Sequence, residues 1–128
     1  MPAVVLLLAG ALLSGCNMIT GQDTPDTARI SVEATELEGT LDVVLSDDWV
    51  DLGTVEGVEL FSADTVAVSP PWEETVDLRD SDRFLVRVLP PGDHVPTASL
   101  RVELDGRESF FREQVLDEGA IQYQVLLQ

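Results

Sequence analysis

Lysine is absent from this chain, and all seven of its basic residues are arginines. The chain also contains 24 aspartates and glutamates, which gives a formal net charge of −17. A surface of that sign repels nucleic acids and anionic lipid headgroups, so neither is an expected partner. The same imbalance is typical of proteins from salt-adapted organisms, where high ionic strength screens the repulsion between carboxylates.

Cysteine and histidine occur only once each, and this excludes several kinds of site. A single cysteine, Cys16, cannot supply a disulfide framework or a thiolate zinc site. A single histidine, His94, excludes a multi-histidine metal centre. His94 lies in the proline-bounded loop 90–96, and no serine occupies a nucleophile elbow. We therefore expect His94 to be an exposed loop residue without a catalytic role, and we expect no enzyme activity.

Long apolar runs are also scarce, and the clearest one covers residues 3–13. Its length fits the apolar core of a signal peptide, roughly 7–15 residues, and is too short for a comfortable membrane span. The run ends in Leu13-Ser14-Gly15-Cys16, with two small residues ahead of the cysteine. This arrangement resembles the lipobox of bacterial lipoprotein signal peptides. The resemblance implies that residues 1–15 are removed as a signal peptide.

In that resemblance, Cys16 becomes the first residue of the mature protein and carries a diacylglycerol and a fatty acyl chain, with no further cofactor. Several acyl chains on one residue would make membrane attachment effectively permanent. Two alternatives stay open at this point. Because no charged residue precedes Asp23, the segment could be an uncleaved anchor helix. Cys16 could also be an ordinary buried cysteine.

Residues 16–27 are predicted to form the acylated cysteine and a flexible tether, because they are polar and without a period. Such a coil would reach roughly 18 Å from the membrane. The expected location is the cell envelope. In a Gram-negative cell Asn17, directly after the cysteine, favours the outer membrane facing the periplasm. In other bacteria the expected location is the outer face of the cytoplasmic membrane.

After the tether, apolar residues recur every second position, which is typical of strands with one face on a core and one in water. The predicted strands cover residues 30–34, 41–45, 58–60, 66–68, 76–78, 84–88, 100–104 and 121–127. No segment has a convincing amphipathic helical period. The sequence therefore predicts a single all-β domain over residues 28–128, an immunoglobulin-like antiparallel sandwich of about seven strands.

Turn residues separate the predicted strands, and Asp105-Gly106 is the strongest hairpin signal because both residue types tolerate positive φ. The least certain segment is 109–117, which follows that turn and could also form a helical turn. Trp49 and Trp72 are expected to be partly buried, with acceptors for their indole N–H groups.

Two groups of aspartates on predicted loops are candidates for a Ca²⁺ site, because Ca²⁺ prefers oxygen ligands. One group is Asp77, Asp80 and Asp82, and the other is Asp47, Asp48 and Asp51. Neither matches an EF-hand loop, and so acidic a chain produces such clusters by chance. A solvated acidic loop is the favoured interpretation, and no metal site is predicted firmly.

The second half of the chain is similar to small bacterial envelope domains in the order of its features. That order is Pro71-Trp72 before a strand, a strand at 84–89, residues 97–104 running into Asp105-Gly106, and a terminal strand. The chain resembles small bacterial lipoproteins and the mycobacterial small membrane proteins that accompany lipid exporters. The resemblance covers residues 30–125. It implies an immunoglobulin-like sandwich and an accessory role beside an exporter of lipids or small molecules.

These features predict a lipid-anchored envelope protein that acts as a non-catalytic binding or scaffolding module. Its expected partners are the membrane, through the acyl chains, and another envelope protein. The alternatives are an accessory subunit of an exporter and a Ca²⁺-binding or enzymatic extracellular module.

Overall fold

The computed structural model describes residues 24–53 and 57–127. Eight antiparallel strands account for most of them, joined by short turns. The strands are β1 (Thr27–Thr35), β2 (Leu41–Asp51), β3 (Val58–Val68), β4 (Trp72–Asp77), β5 (Arg83–Val88), β6 (Thr97–Leu104), β7 (Arg107–Val115) and β8 (Ile121–Leu126). Within these described ranges, no helix is long and apolar enough to cross a bilayer.

The strands form two four-stranded sheets. Sheet A has the order β4-β1-β6-β7, and sheet B has the order β3-β2-β5-β8. The prediction of an all-β sandwich is confirmed. In an immunoglobulin constant-type domain the first two strands share a sheet, whereas β1 and β2 lie in different sheets here. The immunoglobulin-like label is therefore not confirmed.

The core lies between the sheets and is built from the alternating apolar residues. In β1, Ile30 and Val32 are fully buried, while Arg29 and Glu33 are exposed. Alternate side chains of a strand point to opposite faces, so this pattern places one face of β1 on the core and one in water. Ile30 and Val32 belong to a core cluster of sixteen buried residues, and the other fourteen come from both sheets and from the loops after β4, β7 and β8. Burial of this shared interior is the main stabilising contribution to the fold.

The β6–β7 hairpin forms at the predicted turn. Asp105 and Gly106 have φ values of 52° and 84°, as a two-residue type I′ loop requires. The Asp105 carboxylate also accepts hydrogen bonds from the backbone N–H groups of Asp26 and Thr27, at 3.0 and 3.1 Å. The end of the segment predicted as a tether is thus tied to this hairpin.

Residues 109–117 do not form a helix, so the helical alternative for that segment is wrong. Most of the segment lies in β7, which pairs with β6 from Leu104↔Arg107 to Thr97↔Val115. Because β7 is an edge strand with most residues exposed, it has little apolar alternation to distinguish it from a helical turn.

The predicted strands 58–60 and 66–68 are the two ends of one eleven-residue strand, β3. Its middle, residues 61–65, is exposed throughout, and this removes the period of two from the sequence. Its partner β2 continues to Asp51, past register shifts between Leu45 and Trp49. The first shift inserts an extra residue in β2 and the second an extra residue in β3, and such bulges re-aim the side chains that follow.

Candidate functional site

The two lateral sides of the sandwich differ in how they are closed. On the side of β7 and β8, Phe110 and Tyr123 pack with ring centroids 5.0 Å apart. Burial there raises the pKa of the Tyr123 phenol. On the opposite side, the facing edge strands β3 and β4 present small and polar residues such as Ser62, Ala63 and Thr75. A cleft of about 410 Å³, here named the lateral cleft, opens between them.

The lateral cleft exists because the middle of β3 is not covered by sheet A. Asp64 pairs directly with Leu45, and paired residues of an antiparallel sheet share a face. Leu45 packs against the core, so Asp64 projects on the same, inner side of sheet B and is nonetheless exposed. A carboxylate at this inner position keeps its hydration only where the opposing sheet is absent.

The cleft combines an apolar floor with an acidic wall. The floor side chains are Leu45, Val76, Leu78 and Phe84. The carboxylates that line it are Asp47, Asp64, Glu74 and Asp77, and no arginine or histidine is among the lining residues. Carboxylates beside a low-dielectric floor produce a concentrated negative potential, which favours a cationic ligand with apolar parts.

The two aspartate groups singled out in the sequence meet at one end of this cleft. A shallow depression is lined by Asp47 and Asp48 from β2 and by residues 79–82 from the turn after β4. The Ser81 hydroxyl donates a hydrogen bond to Asp47 Oδ2 at 3.3 Å. Asp51 does not join this group, and its carboxylate accepts a hydrogen bond from the Gly53 N–H instead.

Arginines pair with two of the three Ca²⁺ candidates at the end of β4 and in the turn after it. Both carboxylate oxygens of Asp77 accept hydrogen bonds from Arg79, at 3.0 and 2.8 Å. Asp82 pairs with Arg83 at 3.0 Å. Asp80 lines the shallow depression beside them. Across residues 24–53 and 57–127, no group of three or more histidine, cysteine, aspartate or glutamate side chains is arranged to hold a metal ion.

Ser46 is a site residue that periodicity did not indicate. It is buried at the register shift of β2, where its hydroxyl donates to the Ser62 carbonyl at 2.6 Å and accepts from the Asp48 N–H at 3.1 Å. These bonds hold the extra residue of β2 in place, so that Asp47 and Asp48 are exposed towards the turn after β4. A serine in the middle of a strand gives no signal of this role in sequence.

His94 is half-buried, so the expectation of an exposed loop residue is wrong. Its Nε2 accepts a hydrogen bond from the Glu38 N–H at 3.0 Å, and its Nδ1 lies 2.6 Å from the Asp93 carboxylate. This contact with His94 lowers the pKa of Asp93. His94 therefore connects the loop before β6 to the loop before β2 through Nε2, while Nδ1 contacts Asp93 within its own loop.

The Asp77–Arg79 pair predicts a specific acid dependence of stability. The hydrogen bonds that Arg79 donates to the Asp77 carboxylate hold the pKa of Asp77 at about 2, below the ordinary value of 3.8. The stabilisation is present above about pH 4 and is lost as the pH falls through about 2. Between about pH 4 and pH 2, the unfolding free energy of Asp77→Asn should therefore fall less steeply than that of the parent chain. Urea denaturation at several pH values in this range measures the difference. The effect is small because both side chains are mostly exposed.

The matched control for this experiment is Asp117→Asn, which removes an exposed aspartate in the turn after β7. This control should leave the decline between pH 4 and pH 2 unchanged. An Asp77→Asn variant with the same decline as the parent chain would show that the pair does not form in solution.

Leu13, Ser14, Gly15 and Cys16, the predicted cleavage motif and lipidation site, lie outside the described residues. No protein-family model matches the chain, and neither does any curated protein.

Proposed function

We propose that this chain is a lipid-anchored protein of the bacterial cell envelope, and that its acidic sandwich is a non-catalytic binding module. The observation that carries the anchor is the Leu13-Ser14-Gly15-Cys16 motif directly after the apolar run 3–13. The only cysteine of the chain is the one that this motif would acylate. A thiol in an oxidising envelope is reactive, whereas a thioether-linked lipid is not.

The binding role is supported by the lateral cleft. Its acidic wall and apolar floor offer two kinds of recognition group within one concave surface. Fixed to a membrane through Cys16 and a short polar tether, the sandwich would hold this surface close to other envelope proteins. In this proposal the lipid anchor determines where the protein lies, and the lateral cleft binds the partner.

Cys16→Ser tests the anchor directly. We expect the parent chain in the membrane fraction and the variant in the soluble fraction or unprocessed. The serine hydroxyl has no sulfur and therefore cannot form the thioether bond to diacylglycerol. Mass spectrometry of the mature N-terminus should find an acylated Cys16 in the parent chain. A processed variant without acyl chains has no lipid anchor and should be released almost completely, whereas an unprocessed variant is recognised by the larger mass of its retained leader.

Ser14→Ala is the matched control, since it keeps a small residue ahead of the cleavage position. It should be processed and should fractionate like the parent chain. If Cys16→Ser migrated and fractionated like the parent chain, the lipoprotein proposal would be wrong.

A further inference from the structure

The outer edge of β3 is an open strand edge. β3 is the terminal strand of sheet B, and in the part of the chain that the structure describes nothing pairs with its outer side. An edge strand presents unpaired N–H and C=O groups at alternate residues, which can add a strand from another chain. With eleven residues, β3 is long enough to offer several such groups.

The sequence of β3 lacks the basic residues and prolines that protect many edge strands from pairing. Other natural protections are β-bulges and inward-pointing charges, and β3 has both, at its register shift against β2 and at Asp64. The other long edge strand, β7, carries both signs of charge, at Arg107, Glu108, Arg112 and Glu113. β3 has no basic residue and no proline, and Phe61 on it is 57% exposed. Its two charged residues, Glu59 and Asp64, are both acidic.

Charge decides which kind of chain can occupy this edge. Four carboxylates line the lateral cleft beside the middle of β3. Arg79 pairs with Asp77, which leaves Asp47, Asp64 and Glu74 as the charges that a ligand would meet. A second copy that paired through its own β3 edge would place a second acidic cleft against the first, and each copy carries a net charge of −17. Like charges facing each other across an interface are strongly unfavourable, so the complementary occupant is basic.

We propose that the β3 edge and the lateral cleft dock an extended basic segment of a partner protein, which adds to sheet B as a fifth strand. A strand added there lies about 4.8 Å from β3. Its alternate side chains project to the inner side of the sheet, where lysines or arginines meet Asp64 and Glu74. The inference rests on the proposed binding role and does not depend on the lipid anchor.

The test uses the full chain in an uncharged detergent and a fluorescent synthetic peptide of about nine residues, long enough to span most of β3. The peptide alternates lysine and valine, and binding is measured by fluorescence anisotropy at low and high salt. A second peptide replaces each lysine by glutamate. A third keeps the lysines but replaces the valines by proline, which retains the charge and removes the N–H groups needed for strand pairing.

We expect saturable binding of the lysine–valine peptide only, weakened by salt. In hydrogen exchange, the bound peptide should slow alternate backbone amides within residues 61–65. Equal binding of the proline peptide would overturn the proposal, because it would show general charge attraction without strand addition. Absence of binding by the lysine–valine peptide would also overturn it, whereas the outcome for Cys16→Ser concerns the anchor alone.

A pair of charge-matched variants locates the site. Asp64→Asn with Glu74→Gln removes two carboxylates of the cleft and should weaken binding about tenfold. Glu113→Gln with Glu118→Gln removes two exposed carboxylates at β7 and the turn after it, with the same change in net charge. This second variant should bind within about twofold of the parent chain. Equal weakening by both pairs would contradict the assignment to β3.

Discussion

Leu100→Ala is expected to lower the free energy of unfolding by about 3 kcal/mol, within the range of 2–5 kcal/mol typical of such core truncations. Leu100 lies in β6, a central strand of sheet A, and is fully buried. Its loss removes apolar area from the interior and leaves a cavity that rigid neighbouring strands fill only in part. Since a domain of this size has a total stability of roughly 5–15 kcal/mol, the loss is large.

The measurement is urea denaturation of the full chain, followed by far-ultraviolet circular dichroism. Leu126→Ala is the matched control, because Leu126 is 62% exposed. It should change the unfolding free energy by less than about 0.5 kcal/mol. If the two leucine variants lost the same stability, the packing of sheet A on sheet B in solution would differ from the one described here.

The strands that could be predicted from sequence are those with one solvent-exposed face and one buried face. β1 is an example, since Ile30 and Val32 are buried and alternate with Ser31 and Glu33. The Asp105-Gly106 turn could also be predicted, because its requirement for positive φ is local. In both cases the physical cause lies within a few consecutive residues.

Edge strands were harder to predict for a related reason. The middle of β3 and most of β7 are exposed on both faces, so neither needs apolar residues at alternate positions. Their strand structure comes from backbone pairing with β2 and β6, which depends on distant parts of the chain. Periodicity therefore predicts β3 as two separate strands and does not distinguish a strand from a helical turn at β7.

The candidate site could be predicted only as separate pieces. Sequence identified the aspartates near positions 47 and 80 as two groups, but their meeting depends on how β2 and the turn after β4 are placed by the two sheets. The lateral cleft itself depends on which edge strands face each other and on how far β3 extends beyond sheet A. Asp64 and Glu74 carry no local signal of either fact.

Trp49 shows how one inserted residue changes a prediction. Continuing the alternation of Leu41, Val43 and Leu45 would place Trp49 in the main core. The register shifts before it re-aim the side chain, and its ring lies 5.6 Å from the guanidinium of Arg83. Arg83 projects with Leu85 to the outer face of sheet B, since Phe84 and Val86 are in the core.

Three buried apolar side chains, here named the outer cluster, therefore lie on the outer face of sheet B. Trp49 is 2% exposed, and Leu85 and Val44 are buried although neither belongs to the main core. Arg83 also donates a hydrogen bond to the backbone carbonyl of Trp49 at 2.7 Å, which holds the guanidinium beside the indole. The Trp49 indole N–H has no acceptor among the described residues, contrary to the expectation from sequence.

Trp49→Ala is expected to cost about 3–5 kcal/mol, because it removes the large side chain of this outer cluster. Trp49→Phe should cost clearly less. It keeps an aromatic ring in place and removes a buried donor whose missing partner costs roughly 1–3 kcal/mol. Far-ultraviolet circular dichroism during urea denaturation measures both variants without relying on tryptophan fluorescence.

Phe61→Ala serves as the control, since it removes an exposed ring on β3 and should change stability by less than about 0.5 kcal/mol. The decisive comparison is between the losses of unfolding free energy in Trp49→Phe and Trp49→Ala. Equal losses for Trp49→Phe and Trp49→Ala would mean that the indole N–H makes a stabilising hydrogen bond in solution. A small loss for Trp49→Ala would mean that the outer cluster contributes little, and that the main core alone sustains sheet B.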